Sequence, residues 1–179
     1  MKEYILVSHQ IPEKVCDTLI ENATNWEKHR WNDNIANTVS DPLEENDNTE
    51  LDVVNSNQEE QDLLESYCVA AVKEYQERWG QMIKELSHIR LNRYQVGTSM
   101  KGHYDHIHDL FDGEKKGIPI LSFVGLLNDD FEGGEFMLIR EEMKLKKGDI
   151  LIFPSVFLFP HEVLPITSGT RYSFVTWGF

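Results

Sequence analysis

Between residues 31 and 72 the chain has no lysine and no arginine, against 11 aspartates and glutamates. That stretch carries most of a formal net charge of -14, and elsewhere the two signs nearly balance. A solvated acidic loop leading into an acidic helix start accounts for it. So does an acidic rim that attracts a basic substrate. Neither suits a phosphate backbone, which needs a cationic face, so no nucleic acid is expected as a partner. Cysteine is also scarce. Cys16 and Cys68 are the only two, and they form no CxxC, which argues against a disulfide scaffold or a cysteine zinc site. They read as buried thiols in helical segments. Long apolar runs are missing, so no membrane span is expected. The apolar stretch after Met1 is too short and too soon interrupted for a signal peptide, and a cytoplasmic location is the expectation. Internal repeats and linkers are absent too, so residues 1–179 are expected to form one domain.

What is present changes character near residue 89. Before it, residues 3–8 read as a short strand, and Pro12 suits the first turn of a helix carrying Val15, Leu19 and Ala23 at four-residue spacing. Residues 32–58 read as a long irregular loop with a brief strand at 51–54. A long helix is expected from Gln58 to Ser87, with Gly80 as its weak point. Leu64, Cys68, Ala71, Tyr75, Trp79, Met82 and Leu86 form its core stripe against a sheet. After it come candidate strands 89–97, 102–107, 118–128, 134–140, 149–153, 160–165 and 170–178. Turn signals such as Asp112-Gly113, Gly133-Gly134 and Ser168-Gly169 divide them. Short strands at such spacing indicate a sandwich or barrel, so the class is α+β, mainly β.

The chemistry concentrates in Tyr94-Gln95-Val96-Gly97-Thr98-Ser99-Met100-Lys101-Gly102-His103-Tyr104-Asp105. Residues i and i+2 of a strand share a face, so His103 and Asp105 would present an imidazole and a carboxylate side by side. A later histidine, His161, would complete two nitrogens and one oxygen, the facial set that leaves positions open on non-haem Fe(II). His106 and His108 follow at once and offer a rival His-x-His metal signature, although the Tyr-x-x-Gly register favours 103 and 105. His9, His29 and His88 lie outside the β unit and read as structural. Arg171 stands among β-branched and aromatic residues near the end of the chain, as an inward-facing guanidinium would.

The pattern Tyr94-x-x-Gly97-x-x-Met100-x-x-His103-x-Asp105 resembles the prolyl-4-hydroxylase-like branch of the Fe(II)/2-oxoglutarate dioxygenases. The likeness continues through Leu127-Asn128-Asp129, Gly133-Gly134-Glu135-Phe136, Lys147-Gly148-Asp149 and Phe153-Pro154-Ser155. It closes with His161-Glu162-Val163, Thr167-x-Gly169-x-Arg171-Tyr172 and Trp177. The resemblance implies a double-stranded β-helix, or jelly roll, over 89–179, with 1–88 as helical support and acidic loop. It implies Fe(II) held by His103, Asp105 and His161, and 2-oxoglutarate anchored by Arg171 with Tyr94 and Trp177 beside it. O2 would be the oxidant and ascorbate a candidate accessory reductant. It further implies hydroxylation of an unactivated C–H, foremost a prolyl residue of a protein or peptide, with release of succinate and CO2. Relatives carry a tyrosine where this chain has Leu126, so Arg171, Tyr94, Ser122 or Thr176 would take over at that carboxylate. Two other readings stay open at this point. One is a cupin-like metal enzyme or metal-binding module using His106, His108 and His161 without 2-oxoglutarate; the other is a non-catalytic β-sandwich interaction protein.

Overall fold

A computed structural model describes residues 1–30, 50–105, 111–112 and 116–179. After a 3-10 turn at Lys2–Tyr4 come β1 (Leu6–His9), α1 (Glu13–Asn22), β2 (Glu27–Arg30), β3 (Glu50–Asn55) and α2 (Gln58–Trp79). The β unit then runs through β4 (Arg90–Tyr94), β5 (Met100–His103), β6 (Phe111–Asp112), β7 (Lys116–Gly117) and β8 (Leu121–Leu126). It continues with β9 (Glu132–Gly133), β10 (Phe136–Leu138), β11 (Glu141–Met143) and β12 (Asp149–Pro154). Strands β13 (His161–Val163), β14 (Ile166–Ser168) and β15 (Arg171–Gly178) close it.

A large antiparallel sheet has the order β1-β12-β8-β15-β4-β3-β2, and a smaller one the order β11-β10-β13-β5. Side chains between the two sheets, among them Tyr94, Val124, Phe136, Leu151, Phe153 and Val163, form one core. The other face of the large sheet packs on the helices, where Leu6, Phe123, Ile150, Ile152 and Phe174 meet Leu19, Leu64, Cys68 and Tyr75. Central strand β8 is therefore buried at every residue, which explains its unbroken apolar reading. This is the jelly-roll architecture with helices backing the large sheet. No described helix is long and apolar enough to cross a membrane.

Helix α2 begins in a capping box: Glu60 N–H donates to Asn57 Oδ1 and Asn57 N–H to Glu60 Oε2, each at 3.0 Å. It stops earlier than its apolar stripe suggests. Gly80 adopts φ 68° and its N–H closes on the Gln76 carbonyl at 2.7 Å, a left-handed helix stop that glycine adopts without strain. Met82, expected in the core stripe, is consequently exposed. Leu86 is buried through a bridge to Gly178 rather than as part of the helix. The first strand starts at Leu6, not at residue 3. Strands β2 and β11 lie in charged segments that the sequence left unassigned, and each forms the edge of its sheet. Cys16 and Cys68 are both buried free thiols. Burial pushes the Cys16 thiol up to about 11.

Candidate active site

Strand pairing sets the site. In the small sheet, His103 of β5 lies directly opposite His161 of β13, and the imidazole centroids are 4.3 Å apart. Strand β5 ends at His103, so Asp105 sits just beyond it, and residues 106–107 of the expected strand lie outside the described residues. It turns in nonetheless: Asp105 Oδ1 is 3.6 Å from both His103 Nε2 and His161 Nε2. The three residues are buried, and their ligand atoms all lie within 4.8 Å of one another. Side chains of His106 and His108 fall outside the described residues.

Each imidazole is oriented by a carbonyl. His103 Nδ1 is 2.8 Å from the Lys101 oxygen, and His161 Nδ1 is 3.2 Å from the Phe159 oxygen. A carbonyl only accepts, so both Nδ1 atoms must carry the proton. Both Nε2 lone pairs are then turned toward Asp105, as outer partners do for metal-ligating histidines. His161 is also packed against the Phe136 ring at 5.4 Å and the Phe153 ring at 4.9 Å. This burial drives its pKa well below the usual range, with Asp105 opposing, so the ring stays neutral. Burial would raise the Asp105 carboxyl, but His161, His103 and hydrogen bonds from Ser122 and Trp177 outweigh it and leave it lowered. Two imidazoles with Nε2 turned inward and one carboxylate, with a cavity beside them, fit a six-coordinate divalent iron.

The cavity beside these groups is lined from the large sheet by inward residues of β4 and β15. Arg171 pairs with Tyr94, and Ser173 with Asn92. Arg171 is 1% exposed, yet no carboxylate lies in ion-pair reach of it among the described residues. Its Nη1 donates to Ser173 Oγ at 2.9 Å, and its guanidinium carbon lies 5.3 Å from the Tyr94 ring centroid. Burial lowers its pKa and Tyr94 opposes this. Such a group is stabilised when an anion enters beside it. Gly134, at φ 66°, lets the chain pass close to this arginine, because a Cβ there would come within 3.2 Å of Arg171 Cδ and 2.2 Å of Ile166 Cδ1.

Other expected contacts are redistributed. Trp177 lines the cavity at the Asp105 end and hydrogen-bonds that carboxylate. Ser122 does not face Arg171; its hydroxyl donates to Asp105 Oδ2 at 2.5 Å and is 2.8 Å from Ser155 Oγ. Thr176 turns to the opposite face and donates to the Ser87 carbonyl at 2.9 Å. Leu126 lines a second cleft that reaches Arg171 from the other side, lined also by Asp129, Glu135 and Lys144. Tyr94 is buried with its hydroxyl 4.0 Å from Met100 Sδ. Two residues of the cavity wall, Arg90 and Asn92, were not anticipated. The signal for them was the two-residue alternation back from Tyr94, which places all three on one face.

The family model of the 2OG-Fe(II) oxygenase superfamily matches residues 89–179. A PKHD-type hydroxylase of Idiomarina loihiensis is 34% identical over 98 residues, covering 52% of this chain and 43% of that protein. A PKHD-type hydroxylase of a Synechococcus species is 38% identical over 96 residues, covering 49% of this chain and 42% of that protein. The chain thus spans less than half the length of these curated relatives. In solved structures, the fold is similar to a viral collagen prolyl hydroxylase from Paramecium Bursaria Chlorella virus-1 in its 2OG complex. That match has a TM-score of 0.68 at 18% identity and covers 97% of this chain and 94% of that one. A prolyl hydroxylase from Trichoplax adhaerens, in complex with a hypoxia inducible factor oxygen degradation domain peptide fragment, gives a TM-score of 0.66 at 16% identity. There the coverage is 99% of this chain and 84% of that one. The family match takes in the whole run from β4 to β15, and with it the histidine pair, Asp105 and Arg171: the chain belongs to the 2OG-Fe(II) oxygenase superfamily.

Proposed function

We propose that this chain is a 2-oxoglutarate-dependent hydroxylase that acts on a C–H bond of a peptide, foremost at a prolyl residue. The observation that carries the reading is the convergence of His103, Asp105 and His161 on one cavity with the buried, anion-seeking Arg171. His103, Asp105 and His161 would hold Fe(II). Arg171, steadied by Ser173, would take the remote carboxylate of 2-oxoglutarate through a two-point contact. Tyr94 positions the Arg171 guanidinium from its ring face. Bound there, Fe(II) and 2-oxoglutarate would supply oxidative decarboxylation to succinate and CO2, coupled to transfer of one atom of O2 into the C–H bond.

The protein's share is positioning and shielding. Phe136, Phe153 and Met100 wall the histidines with apolar surface, which keeps water from the reacting centre. Support for a peptide comes from the neighbouring fold whose structure contains a hypoxia inducible factor peptide fragment. The acidic stretch before α2 favours a neutral or basic peptide over an acidic one.

The test is aerobic turnover with Fe(II), 2-oxoglutarate and a panel of peptides with and without proline. Succinate is measured, and mass spectrometry looks for the gain of one oxygen. Asp105→Ala should reduce peptide-dependent succinate to background. Wild-type turnover in that variant would remove the ligand assignment. Turnover restricted to proline-free peptides would remove the prolyl substrate and leave the oxygenase reading standing.

A further inference from the structure

The cavity holds a second guanidinium that the cosubstrate anchor does not account for. Arg90 and Asn92 precede Tyr94 on β4 with the same inward facing, and both line the cavity. Val175 pairs with Arg90, Ser173 with Asn92 and Arg171 with Tyr94. The two arginines therefore lie four residues apart in register, roughly 13 Å along the strand direction. Arg171 is at one end. Arg90 is at the other, with its guanidinium carbon 6.0 Å from the ring centroid of Trp177, which bonds Asp105.

Hydrogen bonding leaves these two side chains with donors to spare. Arg90 Nε donates to Asn92 Oδ1 at 3.1 Å. Because Nε can only donate, the Asn92 amide is oriented with its oxygen toward Arg90 and its nitrogen away. That nitrogen, Asn92 Nδ2, is buried without a hydrogen-bond partner, in a residue only 1% exposed. Among the described residues no carboxylate lies within ion-pair distance of the Arg90 guanidinium. The wholly buried Asn92 amide donor carries a desolvation cost that an entering acceptor would offset, and the partly buried Arg90 guanidinium beside it brings a positive charge to the same place.

We propose that Arg90 and Asn92 form a second carboxylate station, on the metal side of the cavity and opposite Arg171. The terminal fork of Arg90 matches a carboxylate in two points, and Asn92 Nδ2 supplies a third donor. The carboxylate comes either from the metal-side end of 2-oxoglutarate or from the prime substrate. This inference rests on the oxygenase reading of the cavity.

The experiment is calorimetric titration of anaerobic Fe(II)-loaded protein. The first arm uses 2-oxoglutarate. The second uses acetate added to protein already saturated with 2-oxoglutarate. Variants are Arg90→Gln and Arg90→Met, the latter keeping an apolar stem over Trp177, and their folding is checked by thermal unfolding. A carboxylate from the cosubstrate predicts that both variants lose about tenfold or more in 2-oxoglutarate affinity. A carboxylate from the prime substrate predicts unchanged 2-oxoglutarate affinity, together with acetate binding in the wild type that the variants lose. A folded variant that matches the wild type in both arms overturns the proposal. Failure of the wild-type protein to bind 2-oxoglutarate at all would instead remove the function on which it rests.

Discussion

Ser122 holds Asp105 in place by a short side-chain bond, 2.5 Å from its hydroxyl to Oδ2, and its oxygen also meets Ser155 Oγ. The bond occupies the Asp105 oxygen that faces away from the histidines and leaves Oδ1 turned toward both Nε2 atoms. It is also one of the contacts that hold the Asp105 carboxyl below its usual range. Ser122→Ala should therefore raise that pKa and free the carboxylate to rotate. The expected outcome is a loss of about 10- to 100-fold in Fe(II) affinity, read by chelator competition under anaerobic conditions; unchanged affinity would show that Asp105 is oriented by other means. Legibility differed sharply between these residues. His103, Asp105, His161 and Arg171 are residue types whose chemistry singles them out, and their motifs placed them. Ser122 was marked in the sequence but for the wrong partner. It lies in a strand buried on both faces, where no polar–apolar alternation shows which side a small hydroxyl takes.

At the scale of the element, edge strands and tight connections escaped reading, whereas central strands did not. Strand β2 is Glu-Lys-His-Arg and β11 is Glu-Glu-Met. Charge on an edge discourages pairing with another chain, and it equally disguises the strand as a loop. The connection from β10 to β11 is similarly hidden. Leu138 pairs with Glu141, and the two residues between them, Ile139 and Arg140, have φ of 54° and 64°. This is a two-residue hairpin turn of the kind that normally calls on asparagine and glycine. Left-handed backbone at a residue with a Cβ costs roughly 1–2 kcal/mol. Arg140 is exposed, so Arg140→Gly should relieve that strain and stabilise the protein by about 1 kcal/mol, visible as a higher midpoint in chemical unfolding. A lower midpoint would mean that the Arg140 side chain contributes more than its backbone costs. Where glycine did stand at a left-handed position, as at the Gly133-Gly134 pair, the turn was readable from the sequence.

Across the whole molecule, the large sheet separates two kinds of work. Its helix-facing side is apolar and carries stability; its inner side carries Arg90, Asn92, Arg171 and Ser173. A cavity cut into the helix layer should therefore cost stability without touching the chemistry. Leu64 is fully buried there. Leu64→Ala is expected to lower unfolding free energy by roughly 2–5 kcal/mol while the folded protein keeps wild-type 2-oxoglutarate affinity, measured by denaturant titration and calorimetry in parallel. A parallel loss of affinity would show the two layers to be coupled. A sandwich or barrel was legible from strand spacing, and the jelly roll from the family resemblance that the motifs carry. The point where α2 ends was less so, since the apolar stripe continues past Gly80 although the helix does not. One consequence follows from strand β15, which sends Arg171, Ser173, Val175 and Trp177 inward and Tyr172, Phe174 and Thr176 toward the helices. Its eight residues work as a ruler with two scales, one marking the cavity wall and the other where the helices rest. A single-residue insertion or deletion within it would exchange the scales, presenting Phe174 to the cavity and a guanidinium to the helices. Length along β15 is thus bound by the demands of both layers at once, so this strand can drift in composition but not in count.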